Sequence, residues 1–251
     1  MPPWIGQGLN VGIRDAGNLA WKLAGVVRGQ LTAAVLHTYE SERRGHVEAM
    51  TKLADMFGAI LMPISRFRAA LRDQFFRLVR RLPSVRDYVL QMRFKPMPRY
   101  LAGFVLDESG SSSSPVGRMF IQPTVETADG RFVPLDTALG DWMVVLGWQI
   151  DPRSLLSDGD RDFWDSLDAR FVTAMRSRSH GRDRSIRHAD HVEDVENQLA
   201  SWFAAANASI VVLRPDRYVA AVATASQFSD TTAAFRSLVR GRRAAEPPST
   251  S

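Results

Sequence analysis

The spacing of apolar residues changes character once along this chain, and that change limits the folds open to it. Before residue 95 the apolar positions recur at three and four. Beyond residue 125, short apolar runs alternate with helical stretches. Asn10 to Arg28 carries Val11, Ile13, Ala16, Leu19, Ala20, Leu23, Val26 and Val27 at helical spacing, and Gly29-Gln30 ends it. A longer helix is expected over 32–61, with Leu36, Tyr39, Val47, Met50, Leu53, Ala54, Phe57 and Ile60 on its apolar side. Glu40, Glu42, Arg43, Arg44 and Glu48 pair along the other side. Pro63 stops that helix and suits the first turn of the next. The third helix, to about Leu82, stripes Phe67, Leu71, Phe75, Leu78 and Val79 against six arginines, and a short fourth piece covers Val85–Arg93.

Lys95-Pro96-Met97-Pro98 and Gly110-Ser111-Ser112-Ser113-Ser114-Pro115 have turn and linker composition. They divide the chain into a helical part, 1–95, a linker, 96–125, a second domain, 126–243, and a tail, 244–251, read as disordered. In the second domain, strands are expected at Trp142–Trp148, Arg170–Met175, Ser209–Leu213 and Tyr218–Thr224. The last two are joined by the turn Arg214-Pro215-Asp216-Arg217. Helices are expected at Asp160–Leu167, at Val192–Ala206 with Val195, Leu199, Trp202 and Phe203 inward, and at Phe228–Val239. The class is α+β or α/β, and the order β-α-β, α-β-β-α is that of a thioredoxin-like domain.

Composition excludes several chemistries. There is no cysteine, which removes disulfides, zinc–thiolate sites and thiol exchange. No apolar run approaches the ~20 residues of a membrane span, and Met1-Pro2-Pro3-Trp4-Ile5-Gly6 lacks the features of a secretory signal. A cytoplasmic protein without a membrane partner is expected. The net charge of +5 does not by itself argue for nucleic acid. The arginine-rich run 177–187 lacks interleaved aromatics and reads as an exposed loop. His188-x-x-His191 with Asp190 could be drawn as a metal site, but its short spacing among Ser, Gly and Arg favours a solvated loop, so no metal is expected. No nucleophile elbow is present. Trp142, Trp148, Trp164 and Trp202 lie in apolar patterns and read as core.

The most informative stretch is Pro2-Pro3-Trp4-Ile5-Gly6-Gln7-Gly8-Leu9-Asn10-Val11-Gly12, a Pro/Gly loop running straight into a helix. Glycines let backbone approach a planar or anionic ligand. The first helical N–H groups are unpaired and carry the positive end of the macrodipole, which suits negative charge on a ligand. The plainer reading is a helix start with Asn10 as N-cap. A dinucleotide fingerprint is rejected, because the glycine spacing is off by one and no strand precedes it.

These residues, continued through Ile13-Arg14-Asp15-Ala16-Gly17-Asn18-Leu19-Ala20-Trp21-Lys22-Leu23, resemble the second flavin-contacting segment of class A FAD-dependent aromatic hydroxylases, P-x-x-G-Q-G-x-N-x-G-x-R-D-A-x-N-L-x-W-K-L. The resemblance continues through Tyr39-Glu40-Ser41-Glu42-Arg43-Arg44, 92–98, 114–123, Ser201-Trp202-Phe203 and Arg214-Pro215-Asp216-Arg217-Tyr218. These later stretches look like the branch acting on 3-(3-hydroxyphenyl)propionate and 3-hydroxycinnamate. The resemblance implies FAD, NADH as reductant, O₂ and a phenolic acid hydroxylated to 3-(2,3-dihydroxyphenyl)propionate, in aromatic catabolism. It implies cofactor contacts from Gly6, Gln7, Gly8, Leu9 and Asn10. Pro3 and Trp4 would lie near the substrate ring, while Asp15, Asn18, Trp21 and Lys22 would act as structural locks. The second domain would serve packing and subunit contact.

Members of that family begin with a strand, a G-x-G-x-x-G turn and a ribose-binding acid, which this sequence does not contain. The expectation is a C-terminal half, from a miscalled start, a disrupted gene or a fragment. On its own it would bind FAD weakly or not at all and lack hydroxylase activity. Its partner would then be the N-terminal half or a second copy. The competing expectations are a non-enzymatic helical and thioredoxin-like association module, or a hydroxylase of another phenolic substrate.

Overall fold

The computed structural model describes residues 6, 8–63, 65–79, 98–107, 111–177 and 190–241. The chain forms two compact units, Met1–Gly17 with Glu40–Pro98, and Asn18–Tyr39 with Arg99–Ser251. The short helix expected at Val85–Arg93, the end of the third helix near Leu82, and the tail 244–251 lie outside the described residues.

The helical unit holds the start of α1 (Gly8–Val27), most of α2 (Thr38–Leu61) and α3 (Arg66–Val79). The single helix expected over 32–61 is two pieces, a 3-10 turn at Ala33–His37 and then α2. The turn ends where the Thr38 hydroxyl donates to the Val35 carbonyl at 2.6 Å. The unit's core is small: Val11, Met50 and Ala54 are buried, with Val47, Leu53 and Phe57 against them. On the apolar stripe of α3, Phe67, Leu71 and Phe75 are exposed.

Among the described residues, the sheet unit contains seven strands: β1 (Thr124–Thr127), β2 (Phe132–Pro134), β3 (Val144–Trp148), β4 (Arg170–Arg176), β5 (His191–Asp194), β6 (Ile210–Leu213) and β7 (Val219–Ala223). They lie in the order β2-β1-β5-β4-β3-β6-β7. The three central strands are parallel and both flanks antiparallel. Its helices are α4 (Leu135–Leu139), α5 (Asp158–Ser166), α6 (Gln198–Ala206) and α7 (Phe228–Val239). Strand alternation sends residues to two cores. Val145, Ile210 and Val212 meet Trp164 of α5 and Phe228 and Phe235 of α7. Val144, Leu146, Val211 and Leu213 meet Leu199 and Phe203 of α6. Both faces of β3 and β6 are therefore covered, which is why these strands read as unbroken apolar runs.

Two stretches differ from expectation. The helix expected over Val192–Ala206 begins six residues later, because His191 to Asp194 is a strand paired to both β4 and β1. Asp194 then caps α6, accepting from the N–H groups of Gln198 at 3.1 Å and Ala200 at 2.9 Å. Val195 does not face inward; it is exposed between the two elements. The residues expected as a linker, 96–125, are packed where described. Tyr100, Phe104, Val116 and Phe120 are buried. The segment also runs along β7, with the Leu106 N–H donating to the Ala220 carbonyl at 2.7 Å and that of Gly117 to Val219 at 2.9 Å. It covers what would otherwise be an open sheet edge.

Candidate functional site

The candidate site is the beginning of α1, and its backbone sets the geometry. Gly6 has φ +61, a conformation side chains rarely adopt, so the chain can bend there and enter the helix at Gly8. Asn10 is therefore inside the first turn and not the N-cap, which corrects the plainer reading of that loop. A Cβ added at Gly6, Gly8 or Gly12 would meet no heavy atom within 4 Å. Leu9 and Ile13 are 76% and 60% exposed. The first turn of α1 has no acidic residue. The positive end of its dipole is thus uncompensated by a carboxylate within that turn, on an approach lined by glycines.

That arrangement fits a planar ligand carrying negative charge at its edge, such as a flavin ring. The donors are backbone N–H groups, no described atom stands within 4 Å of a Cβ built on the glycines, and the field has the right sign. Of the residues assigned to the site, Gly6, Gly8, Leu9 and Asn10 are brought together here. Pro3, Trp4 and Gln7 lie outside the described residues.

Behind this end, α1 is tied to α2. The Asp15 carboxylate accepts from Arg43 Nε at 2.6 Å, and the Arg43 side chain is 2% exposed. His46 lies beside them. Burial and the Arg43 and Arg14 guanidiniums hold its imidazole below the usual histidine range, with Asp15 pulling the other way.

In the sheet unit, the second half of α1 forms a buried polar and aromatic cluster. Lys22, wholly buried, donates to Asn18 Oδ1 at 3.0 Å. Arg214, also wholly buried, lies 5.1 Å from the Trp21 ring centroid, 4.8 Å from Tyr100 and 5.8 Å from Tyr218. It forks onto Asp216 through Nε at 2.9 Å and a terminal nitrogen at 2.7 Å. Asn18, Trp21 and Lys22 are all buried in this cluster. Sequence reasoning named Arg214 in a turn and in the family resemblance but missed its packing against Trp21, 193 positions away.

Of the His188-x-x-His191 pair, His188 lies outside the described residues, as does nearly all of the arginine-rich run 177–187. His191 is buried in β5 and is not part of a solvated loop, because Thr173 of β4 pairs with it. Asp190 is held by Arg170 at 2.9 Å. No metal-binding group of three carboxylates or histidines occurs among the described residues. Trp164 is core as expected, its indole N–H donating to Thr232 Oγ1 at 3.2 Å. No described helix is long and apolar enough to cross a membrane.

With this geometry in view, comparison with known proteins is informative. A FAD binding domain model matches residues 1–54, and an HcaD C-terminal domain model matches residues 117–238. The chain is 55% identical over 246 residues to a 3-(3-hydroxy-phenyl)propionate/3-hydroxycinnamic acid hydroxylase of Burkholderia cenocepacia, covering 96% of this chain and 45% of that protein. It is 45% identical over 224 residues to the Escherichia coli K12 hydroxylase of the same name, covering 89% of this chain and 40% of that protein. The chain thus spans less than half the length of these curated relatives. Among solved structures, it resembles the OxyS anhydrotetracycline hydroxylase of Streptomyces rimosus (TM-score 0.62, 23% identity, 97% of this chain and 42% of that one). It also resembles the flavin-dependent monooxygenase PieE, solved with FAD and substrate (TM-score 0.63, 15% identity, 96% of this chain and 46% of that one). Those two likenesses concern the fold alone.

Proposed function

We propose that this chain, a homologue of the C-terminal portion of flavin-dependent 3-(3-hydroxyphenyl)propionate hydroxylases, supplies the flavin-facing helix end and the C-terminal domain of such an enzyme. The reaction would convert 3-(3-hydroxyphenyl)propionate or 3-hydroxycinnamate, NADH, a proton and O₂ into the 2,3-diol, NAD⁺ and water. FAD, when bound, supplies the redox chemistry that passes electrons from NADH to O₂ and one oxygen atom to the ring.

The observation that carries this reading is the acid-free, glycine-lined start of α1. The N–H groups of Gly8, Leu9 and Asn10 would meet the flavin edge on which negative charge collects, fixed in place before that charge develops. Gly6 and Gln7 would let the loop lie against the ring. Pro3 and Trp4 would border the substrate. Leu9 and Ile13, exposed in the chain, would shield the bound ring from water.

The sheet unit reads as thioredoxin-like. Support comes from β3-α5-β4 as a parallel unit, then α6, the β6-β7 hairpin and α7, with strand order β4-β3-β6-β7 and β3 central. With no cysteine it does no thiol exchange. Its role is packing and contact with the remainder of the enzyme or with a second copy.

The test is a hybrid hydroxylase. This chain replaces the matched 45% of the Burkholderia cenocepacia protein, behind that protein's own N-terminal part. A hybrid that purifies with flavin and forms the 2,3-diol from 3-(3-hydroxyphenyl)propionate supports the reading. A folded hybrid that holds no flavin refutes the site, and one that holds flavin but leaves the phenol unchanged refutes the substrate.

A further inference from the structure

The start of α1 offers its own unit few side chains to grip. Gly8, Gly12 and Gly17 carry none, and Leu9 and Ile13 are exposed. Two contacts run from it to α2. Val11 is buried in one cluster with Met50 and Ala54. One turn on, the Asp15 carboxylate accepts from Arg43 Nε at 2.6 Å. Residues 11 and 15 share one face of α1, and 43, 50 and 54 share one face of α2. As α1 runs from 11 to 15 its partners run back from 54 to 43, so the helices are antiparallel here. The apolar contact is non-directional and tolerates sliding. The ion pair is directional, and with Arg43 2% and Asp15 28% exposed it is poorly screened. His46 does not compete for that carboxylate at pH 7.5, since burial, then Arg43 and Arg14, hold its imidazole below the usual range.

We infer that Arg43 is a positioning residue for the flavin: through Asp15 it fixes the register of α1 along α2, and so how closely the N–H groups of Gly8, Leu9 and Asn10 approach the ring. This rests on the reading that the flavin edge lies at that helix end. Gly8 stands seven residues before Asp15, about 10 Å along the axis, and a helix transmits a slide along its length. A slide of about 1 Å takes an N–H out of the hydrogen-bonding range. The loss falls mainly on the reduced ring, because these donors meet charge that gathers on reduction. A role through charge alone has the opposite sign. Removing the Asp15 carboxylate takes away a negative charge, which by itself raises the flavin potential.

The test compares Asp15→Ala with Asp15→Asn in the hybrid hydroxylase. Both remove the charge, but asparagine keeps an Oδ1 acceptor for Arg43 Nε. In the alanine variant reduced FAD should lose about tenfold more affinity than oxidised FAD, which lowers the midpoint potential by about 30 mV. The asparagine variant should regain most of that loss. In this chain by itself, amide hydrogen exchange over residues 12–16 should quicken by about tenfold in the alanine variant and little in the asparagine one, although alanine favours helix more than aspartate does. Where circular dichroism shows Asp15→Ala to be poorly folded, Arg43→Met added to it removes the guanidinium with its carboxylate, and the same losses are expected. A potential that holds or rises in the alanine variant would overturn the inference, as would equal shifts in the two variants. A hybrid that holds no flavin before any substitution fails the underlying reading instead. The exchange measurement then decides the register alone, and unchanged exchange in Asp15→Ala overturns it.

Discussion

Replacing Arg214 by alanine should be among the most damaging single changes in the sheet unit. The side chain is fully buried and its carboxylate partner Asp216 is 9% exposed. Removing the guanidinium leaves a desolvated aspartate without its counter-charge, which costs about 3–5 kcal/mol. The cation also lies over Trp21 at 5.1 Å and Tyr100 at 4.8 Å, contacts that add about 1–2 kcal/mol together at a site shielded from water. The expected loss is therefore about 4 kcal/mol or more. Arg214→Lys keeps the charge but loses the fork and the stacking, so it should cost roughly half as much. Arg214→Met combined with Asp216→Leu removes both charges, and should recover most of the loss because no buried ion is left unpaired. Urea unfolding followed by circular dichroism, on the parent and the three variants, gives the four free energies. An alanine variant within about 1 kcal/mol of the parent would refute the reasoning, as would a double variant no better than the single.

Two other perturbations follow from the same structure. Gly117 has φ +74, and a Cβ there would stand 1.9 Å from the Tyr100 carbonyl oxygen, so Gly117→Ala should cost at least about 3 kcal/mol in urea unfolding. His46 is held below its ordinary value, so between its folded value and 6.5 the unfolded chain binds more protons than the folded one. Its contribution is complete above pH 6.5 and is lost as pH falls through the folded value. Unfolding free energies taken from pH 8 to pH 5 should decline, and His46→Gln should flatten that decline.

How far the fold could be read from the sequence depended on length and on one-sidedness. α7 was legible at both ends because twelve residues of helical spacing face a single core. Strands β3, β4, β6 and β7 were legible because their apolar runs are bounded by turns. β1 and β2, of four and three residues, were too short to show a period, although Asp129-Gly130 between Val125 and Val133 is a hairpin signal that could have found them. Val192 to Asp194 was drawn into the following helix because strand and helix meet without a Gly or Pro between them. The stretch around 100–123 was taken for a linker because its serines outweighed Tyr100, Phe104, Val116 and Phe120, whose burial involves distant partners such as Tyr218, Phe235 and Trp202 that no local pattern encodes. The start of α1 was legible through its glycines. The cluster around Arg214 was not, since its members are gathered from three distant parts of the chain.

The central claim is that the flavin edge lies at the start of α1, and Leu9→Asp in the hybrid hydroxylase tests it by giving fold and cofactor opposite responses. Leu9 is 76% exposed, and a carboxylate in the first turn of a helix stabilises that helix by about 0.3–1 kcal/mol. The same carboxylate would repel a ring that gathers negative charge there. Flavin affinity should fall by about tenfold or more, roughly 1.4 kcal/mol, and the flavin midpoint potential should drop, while the unfolding free energy of the apoprotein holds or rises. A variant with unchanged flavin affinity and unchanged potential would place the cofactor elsewhere and contradict the account.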